Sequence, residues 1–136
     1  MGSTTKRYME LEDQWFHRDE PYMFYAFSKE QFEQGKEKIT KNGWLSQDEK
    51  VVTIGAGGFT SHRGYKQLIK DVSNHYSAIR KECDPQDVYD YEHDNHECKI
   101  SMDGDIEAIR IVATIYGDEI ARTVKRRNAC YSIDEI

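Results

Sequence analysis

Residues 22–43, YMFYAFSKEQFEQGKEKITKNG, place one strand and one helix side by side with almost no loop between them. The run Tyr22–Phe27 is short, continuous and aromatic, which favours a buried strand over a helix of that length. Ser28 and Gln31 then form a capping box, so a helix begins at Ser28 and ends at Asn42-Gly43. We therefore expect an aromatic strand packed beneath its own helix.

Outward from this stretch, apolar residues recur mostly at helical spacing. The strand Val51–Ile54 is interrupted by glycines and resumes at Phe59-Thr60. Helices are expected over Thr5–Arg18, Tyr65–Lys81, Pro85–Asn95, from a cap at Asp105, and over Glu119–Ala129. The predicted fold class is α+β: a mostly helical single domain over residues 1–136, with about five or six helices and a small two- or three-stranded antiparallel sheet. Residues 1–4 are expected to be disordered.

Length and composition exclude several classes of protein. The 136 residues suffice for one domain with a real core, and no apolar run approaches the roughly 20 residues that a membrane span needs. The three cysteines (Cys83, Cys98 and Cys130) are odd in number and contain no C-x-x-C pair. This pattern argues against a disulfide framework or a zinc ribbon and predicts a reducing, cytoplasmic location.

The net charge of −6 is distributed unevenly along the chain. Residues 82–107 contain ten acids and one base, and a short basic run follows in the expected last helix. An acidic block repels phosphates, so nucleic acid is an unfavourable partner, whereas a basic surface on a host protein would be attracted. The expected partner-binding residues are Asp87, Asp90, Glu92, Asp94 and Glu97. A solvated helix face is the alternative explanation of the same charges.

A glycine-rich turn after the second strand is a possible anion site. Backbone N–H groups at Gly55, Gly57 and Gly58, helped by His62 and Arg63, would suit a phosphate. The spacing matches neither G-x-G-x-x-G nor a P-loop. A hairpin turn that needs positive φ explains the same glycines.

Histidines near residue 95 are the other chemical motif. His93-x-x-His96, with Glu92, Glu97 and Cys98 nearby, offers zinc or iron ligands, although no third ligand cluster is evident. A histidine that caps the end of a helix is the alternative. We assign no metal, no cofactor and no catalytic residue, because no nucleophile signature is present.

Three blocks of sequence resemble an uncharacterised family of small proteins from phages and mobile elements of gut and Gram-positive bacteria. The blocks are FYAFSKEQFEQG from residue 24, IGAGGF from residue 54 and YEHDNHEC from residue 91. Family members read F-A-F-S-x-x-Q-F-x-x-G, I-G-x-G-G-[FY] and Y-E-L-x-N-H-E-Y, and the resemblance covers most of residues 22–112. Cys98 replaces the usual tyrosine and His93 an apolar residue. The resemblance implies a phage or mobile-element accessory protein, without a mechanism.

Three functions are compatible with these patterns. We expect a non-enzymatic protein that binds a host protein through its acidic surface, such as an inhibitor of a bacterial defence system of the anti-CRISPR kind. A protein that sequesters a nucleotide signal with the glycine-rich turn is the second hypothesis. A metal-dependent enzyme that uses His96 and Glu97 is the third.

Overall fold

The computed structural model describes residues 2–95 and 103–127. Contacts within the chain divide it into two compact units, and the chain passes from one to the other between Phe16 and His17 and again between Asn74 and His75. We call residues 17–74 the sheet unit, and the residues before and after them the helical unit. The prediction of a mostly helical α+β fold with a small antiparallel sheet is confirmed. That of a single domain over residues 1–136 stays a prediction.

The described residues form six helices and three strands. The helices are α1 (Thr5–Phe16), α2 (Lys29–Lys41), α3 (His62–Glu82), α4 (Pro85–Asn95), α5 (Asp103–Tyr116) and α6 (Asp118–Ala121). The strands are β1 (Met23–Tyr25), β2 (Val52–Gly55) and β3 (Gly58–Thr60), and they pair antiparallel in the order β1-β3-β2. Across both described ranges, no helix has the length and apolar character that crossing a membrane requires.

Aromatic rings fill the core of the sheet unit between the sheet and α2. Phe24 on β1 stacks on Phe59 of β3, with ring centroids 5.5 Å apart, and meets the edge of Phe32 on α2. Gly35 lets α2 approach this closely, because a Cβ there would lie 2.0 Å from Cδ2 of Phe24. Ser28 caps α2 by accepting a hydrogen bond from the Gln31 N–H at 3.1 Å. The prediction of a strand beneath its own helix is confirmed.

A lysine of α2 lies on the outer side of β1. The Nζ of Lys38 donates hydrogen bonds to the carbonyl oxygens of Glu20 and Met23, each at 3.1 Å. It also pairs with Asp19 at 3.1 Å. These bonds fix the chain that leads into β1 against α2.

The helical unit is built around α4 and α5, with α1 and the second half of α3 packed on them. The predicted start of α4 is confirmed, since Asp84 accepts from the Gln86 N–H at 2.8 Å with Pro85 between them. Tyr116 of α5 donates to the Cys83 carbonyl at 2.9 Å. Fully buried apolar side chains in this core are Tyr8, Ile79, Val88, Tyr89, Ala108 and Val112.

Two helix boundaries near the C-terminal end differ from the prediction. The helix α5 begins at Asp103, so Asp105 lies inside its first turn instead of capping it. The helix α6 ends at Ala121 instead of extending to Ala129. The following residues leave the helix because Arg126 and Arg127 bond to acidic side chains of α4 and α5.

Candidate functional site

Two of the acids expected on a docking surface are buried in the helical unit. Asp87 is 8% exposed and accepts hydrogen bonds from the N–H and hydroxyl of Thr4, at 2.9 and 2.5 Å. Glu92 is 7% exposed and accepts from the Tyr8 hydroxyl at 2.7 Å. Asp87 and Glu92 therefore do not lie on an exposed face of α4, and partner binding through them stays a prediction. Thr4 is held against α4 by the bonds to Asp87, and the expected disorder of residues 1–4 stays a prediction.

Arg127 pairs with two acids of α4, the half-buried Asp90 and the exposed Asp94. Its Nε lies 3.6 Å from Asp90 Oδ1, and its Nη2 pairs with Asp94. The same Nη2 lies 2.9 Å from Nδ1 of His93. Partner binding by Asp90 and Asp94 stays a prediction, but it would compete with this internal cation. Glu97, the fifth expected residue, lies outside the described residues.

Arg126 makes a similar bond to α5. Asp105 is 3% exposed and accepts from Nε of Arg126 at 3.0 Å, from a second nitrogen of that guanidinium, and from the Tyr89 hydroxyl. The hydrogen bond from Arg126 holds the pKa of Asp105 below its ordinary value, and the Tyr89 hydroxyl adds to this. Burial raises the pKa of Tyr89. The basic run thus folds onto the acidic block.

The glycine-rich turn is a two-residue hairpin loop. Ala56 and Gly57 both have positive φ, +52° and +82°, as a type I′ turn requires. A Cβ at Gly57 would also lie 2.4 Å from the Phe27 ring, so the ring covers the turn. The structure therefore favours a hairpin turn with positive φ, and not an anion site, as the reason for these glycines.

The expected anion-binding residues do not converge on this turn. Arg63 donates to the Gly43 carbonyl oxygen, and its guanidinium lies 5.6 Å from the Trp44 ring centroid. Gly55 donates its N–H to the Thr53 hydroxyl at 3.3 Å. His62 is exposed at the start of α3, and Gly58 is buried within β3. Arg63 thus contacts Gly43 and Trp44, and it does not point to a ligand at Gly55–Gly58.

The histidine motif is only partly described. His93 is 2% exposed on α4, between Tyr89 and Arg127. His96, Glu97 and Cys98 lie outside the described residues, so the hypothesis that uses them stays a prediction. In residues 2–95 and 103–127, no group of three or more His, Cys, Asp or Glu side chains is placed to hold a metal ion.

A cleft of about 340 Å³ lies among four helices of the helical unit. Its walls combine two tyrosines, two glutamates, one arginine and small apolar or hydroxyl side chains: Tyr8, Glu12, Tyr76, Glu92, Arg110, Ile111, Thr114 and Ile115. We call this the acidic cleft. It brings together polar residues from α1, α3, α4 and α5 that are far apart in the sequence.

Hydrogen bonds and stacking position the polar side chains of the acidic cleft. Oε1 of Glu12 lies 2.8 Å from Nε2 of His75. The His75 ring stacks on Trp15 with centroids 4.7 Å apart and planes 8° apart. Arg110 is 67% exposed along its side chain and pairs with Glu107 at 3.0 Å. Neighbours in the helical unit therefore already hold both carboxylates of the cleft: His75 holds Glu12, and Tyr8 holds Glu92.

The acidic cleft combines carboxylates, tyrosine rings and the Arg110 guanidinium, which can take part in charged hydrogen bonds. Burial, reinforced by the charge of Glu92, raises the pKa of Tyr8 far above its ordinary value. Tyr8 therefore stays protonated and acts as a hydrogen-bond donor. Carboxylates beside aromatic rings attract organic cations through Coulomb and cation–π interactions.

Fold and cleft together define a small α+β protein with a cleft of tyrosine, glutamate, arginine and apolar side chains in its helical unit. The chain belongs to DUF7659, a family of unknown function, whose model matches residues 7–124. No curated protein matches the chain, and no solved structure does either.

Sequence reasoning missed the acidic cleft because its residues come from four separated helices. The signal that the sequence did contain is local: Tyr8, Leu11 and Trp15 mark the inner face of α1, and Glu12 lies beside them. An acid next to the apolar stripe of an amphipathic helix indicates a partly buried carboxylate.

Proposed function

We propose that this protein is a non-catalytic binding protein that contacts a basic surface of another protein. The segregation of charge between its two units carries the proposal. The helical unit contains 17 acids and 10 bases, a net charge of −7, whereas the sheet unit has 8 acids and 9 bases, a net charge of +1. A field of one sign concentrated in one unit raises the association rate with a partner of the opposite sign.

The biological context that we propose is that of a phage or mobile-element accessory protein. In the cytoplasm of a bacterial host, it would block a defence component by covering a basic groove that normally holds nucleic acid. The sequence blocks that begin at residues 24, 54 and 91 support the origin, and the negative charge supports the type of groove. Nucleic acid itself would be repelled by the helical unit.

The experiment is affinity capture from bacterial lysate with two charge-reversed variants of the chain. One variant carries Asp118→Lys and Glu119→Lys, two exposed acids of the helical unit. The matched control carries Glu30→Lys and Glu33→Lys, two exposed acids of the sheet unit with the same change in net charge. We expect capture of a basic protein that weakens at high salt, because screening shortens the range of the attraction.

The two variants separate a specific charge effect from a general one. The proposal predicts that the helical-unit variant loses the captured protein and that the sheet-unit variant retains it. Equal loss in both variants, or capture that is insensitive to salt, would contradict the proposal.

A further inference from the structure

We propose that an apolar strip on the first half of α3 is a docking surface for an acidic amphipathic helix of a partner protein. The strip consists of Tyr65, Leu68, Ile69 and Val72, and we call it the α3 stripe. It lies in the sheet unit. This inference goes beyond the proposed function, which uses the negative charge of the helical unit to bind a basic protein.

The side of α3 that packs within the sheet unit is not its apolar side. Gly64 lies so close to the chain before β1 that a Cβ there would be 3.0 Å from the Tyr22 carbonyl oxygen. Seven residues further on, the carboxylate of Asp71 accepts hydrogen bonds from the Tyr22 hydroxyl and from Gln67. Residues seven apart lie on one side of a helix, so α3 is attached through the side that carries Gly64 and Asp71.

The α3 stripe is turned toward solvent. Tyr65 and Val72 each follow a residue of the packed side directly, so they are rotated about 100° from it. Tyr65 and Ile69 are 45% and 53% exposed, and Leu68 and Val72 are half-buried. As far as the structure describes the aromatic core of the sheet unit, that core contains no residue of the stripe.

Continuity distinguishes the α3 stripe from ordinary surface residues. Single exposed apolar side chains are common in folded proteins. Here four of them follow one another at spacings of three and four residues, which makes them neighbours along one face of a helix. A strip of this kind is the surface onto which a second amphipathic helix packs its own apolar residues.

The charges beside the α3 stripe are positive and indicate the partner. Lys66 and Lys70 are exposed, lie one turn apart and directly follow Tyr65 and Ile69. Among the residues that the structure describes, neither ammonium is paired with an acid. A helix that flanks its apolar residues with carboxylates therefore complements both the stripe and its lysines.

The same lysines disfavour a second copy of this chain as the occupant. Two copies that met through the α3 stripe would bring Lys66 and Lys70 of one molecule toward those of the other. Like charges placed together across an interface oppose binding. A lipid surface is also a poorer fit, because a helix at a membrane interface inserts its apolar face about 5–10 Å deep. Leu68 and Val72 are half-buried in the protein and are not available to insert in this way.

The test is an NMR titration of the full chain with three blocked helical peptides. The first has leucine at the a and d positions of its heptads and glutamate beside them. The second has lysine in place of glutamate, and the third has the composition of the first in scrambled order. Phosphatidylglycerol vesicles test for a lipid surface, and sedimentation of the chain alone tests for a second copy.

One pair of variants tests the apolar contact. We expect the acidic peptide to shift the resonances of Tyr65 and Ile69. Ile69→Ser should weaken its binding by about tenfold or more, because the buried area of one isoleucine side chain is lost. Phe27→Ser is the control, since Phe27 is an apolar residue of the same unit that is 77% exposed, and it should leave binding unchanged.

A second pair of variants tests the charge. Reversing both lysines, Lys66→Glu with Lys70→Glu, should weaken binding of the acidic peptide about tenfold at low salt and improve binding of the basic peptide. The matched control is Lys36→Glu with Lys41→Glu, which reverses two exposed lysines of α2. It makes the same change in net charge within the same unit and should have a much smaller effect. Thermal unfolding shows that each variant is folded.

Five results would overturn the inference. The acidic peptide does not bind, or the basic or scrambled peptide binds as tightly. The control variants lose as much affinity as the variants of the α3 stripe, which means general attraction. Vesicles shift the Ile69 resonance whereas the peptides do not, which assigns the stripe to a lipid surface. The chain alone forms a dimer that Ile69→Ser dissociates, which assigns it to a second copy. None of these results bears on capture of a basic protein by the helical unit, so the proposed function is tested separately.

Discussion

Phe24, Phe32 and Phe59 fill the core of the sheet unit, whereas Tyr8 and Tyr89 in the helical unit each donate a hydrogen bond to a buried carboxylate. The first core depends on the fit of apolar shapes and the second on matched polar pairs. The contribution of apolar burial to the free energy of unfolding depends much less on pH and salt than the contribution of ion pairs does. The two units should therefore respond differently to substitution, acid and ionic strength.

Removing a ring from the sheet unit should have the largest effect on stability. We expect Phe24→Ala to lower the free energy of unfolding by about 3–5 kcal/mol, because it leaves a cavity between Phe59 and α2. Urea unfolding measures this change. Phe27→Ala is the control, since Phe27 is 77% exposed, and it should change stability by at most about 0.5 kcal/mol. Similar losses in the two variants would show that the aromatic core contributes less than its packing indicates.

Removing the charge of Asp105 should have the next largest effect and should depend on pH. Asp105→Asn is expected to cost about 1.5–3 kcal/mol at neutral pH, since it weakens the bonds to Arg126 and Tyr89. The folded pKa of Asp105 is lower than its unfolded value, so its contribution is present above about pH 4. That contribution is lost as the pH falls through the folded pKa.

Urea unfolding of the wild type and Asp105→Asn over a range of pH measures this prediction. The difference in stability between them should shrink as the pH falls below about 4. Phe24→Ala serves as the comparison, because its cost should not follow the titration of a carboxylate. A difference between wild type and Asp105→Asn that stays constant down to low pH would contradict the role of the Asp105 charge.

Breaking the contacts of Arg127 should have a smaller effect that depends on salt. Arg127 and its partners Asp90 and Asp94 are partly exposed, so Arg127→Ala should cost about 1 kcal/mol or less at low ionic strength. High salt should reduce this cost, because screening already weakens the pairs. Arg122→Ala, an exposed arginine of the same segment, is the control for loss of positive charge. Thermal unfolding at two salt concentrations measures both variants, and equal effects would contradict a specific role for Arg127.

The smallest expected change is a gain in stability in the sheet unit. Ala56 has a φ of +52°, a conformation that costs a residue with a Cβ about 1 kcal/mol. Ala56→Asn should stabilise the protein by about 0.5–1 kcal/mol, because asparagine followed by glycine suits a type I′ turn. Ala56→Val should destabilise it instead. Thermal unfolding measures both, and a loss of stability in Ala56→Asn would contradict the turn geometry.

Local signals predicted most of the secondary structure. Ser28 with Gln31, and Asp84 with Pro85, place the starts of α2 and α4 correctly because each cap acts within three residues. The start of α3 was predicted too late: Ser61, fully buried, accepts a hydrogen bond from the Gly64 N–H at 3.0 Å. That bond caps the helix before the apolar periodicity begins.

Long-range pairing explains why the charges were harder to interpret than the helices. Asp105 and Arg126 are 21 residues apart, and Asp94 and Arg127 are 33 apart, so no local pattern indicates that they pair. The expected helix Glu119–Ala129 ends early because these bonds outweigh its propensity. The acidic cleft depends on contacts of the same kind between α1, α3, α4 and α5. Its residues could be predicted as partly buried, but their convergence could not.

The position of Lys38 has a consequence for self-association of the chain. The outer strand of a sheet presents carbonyl and N–H groups that can recruit a strand from another molecule. In this protein the ammonium of Lys38 already donates a hydrogen bond to the Met23 carbonyl oxygen on β1. An incoming strand would have to displace that bond and bury a positive charge, which disfavours growth of intermolecular sheets and the fibrils that follow from it.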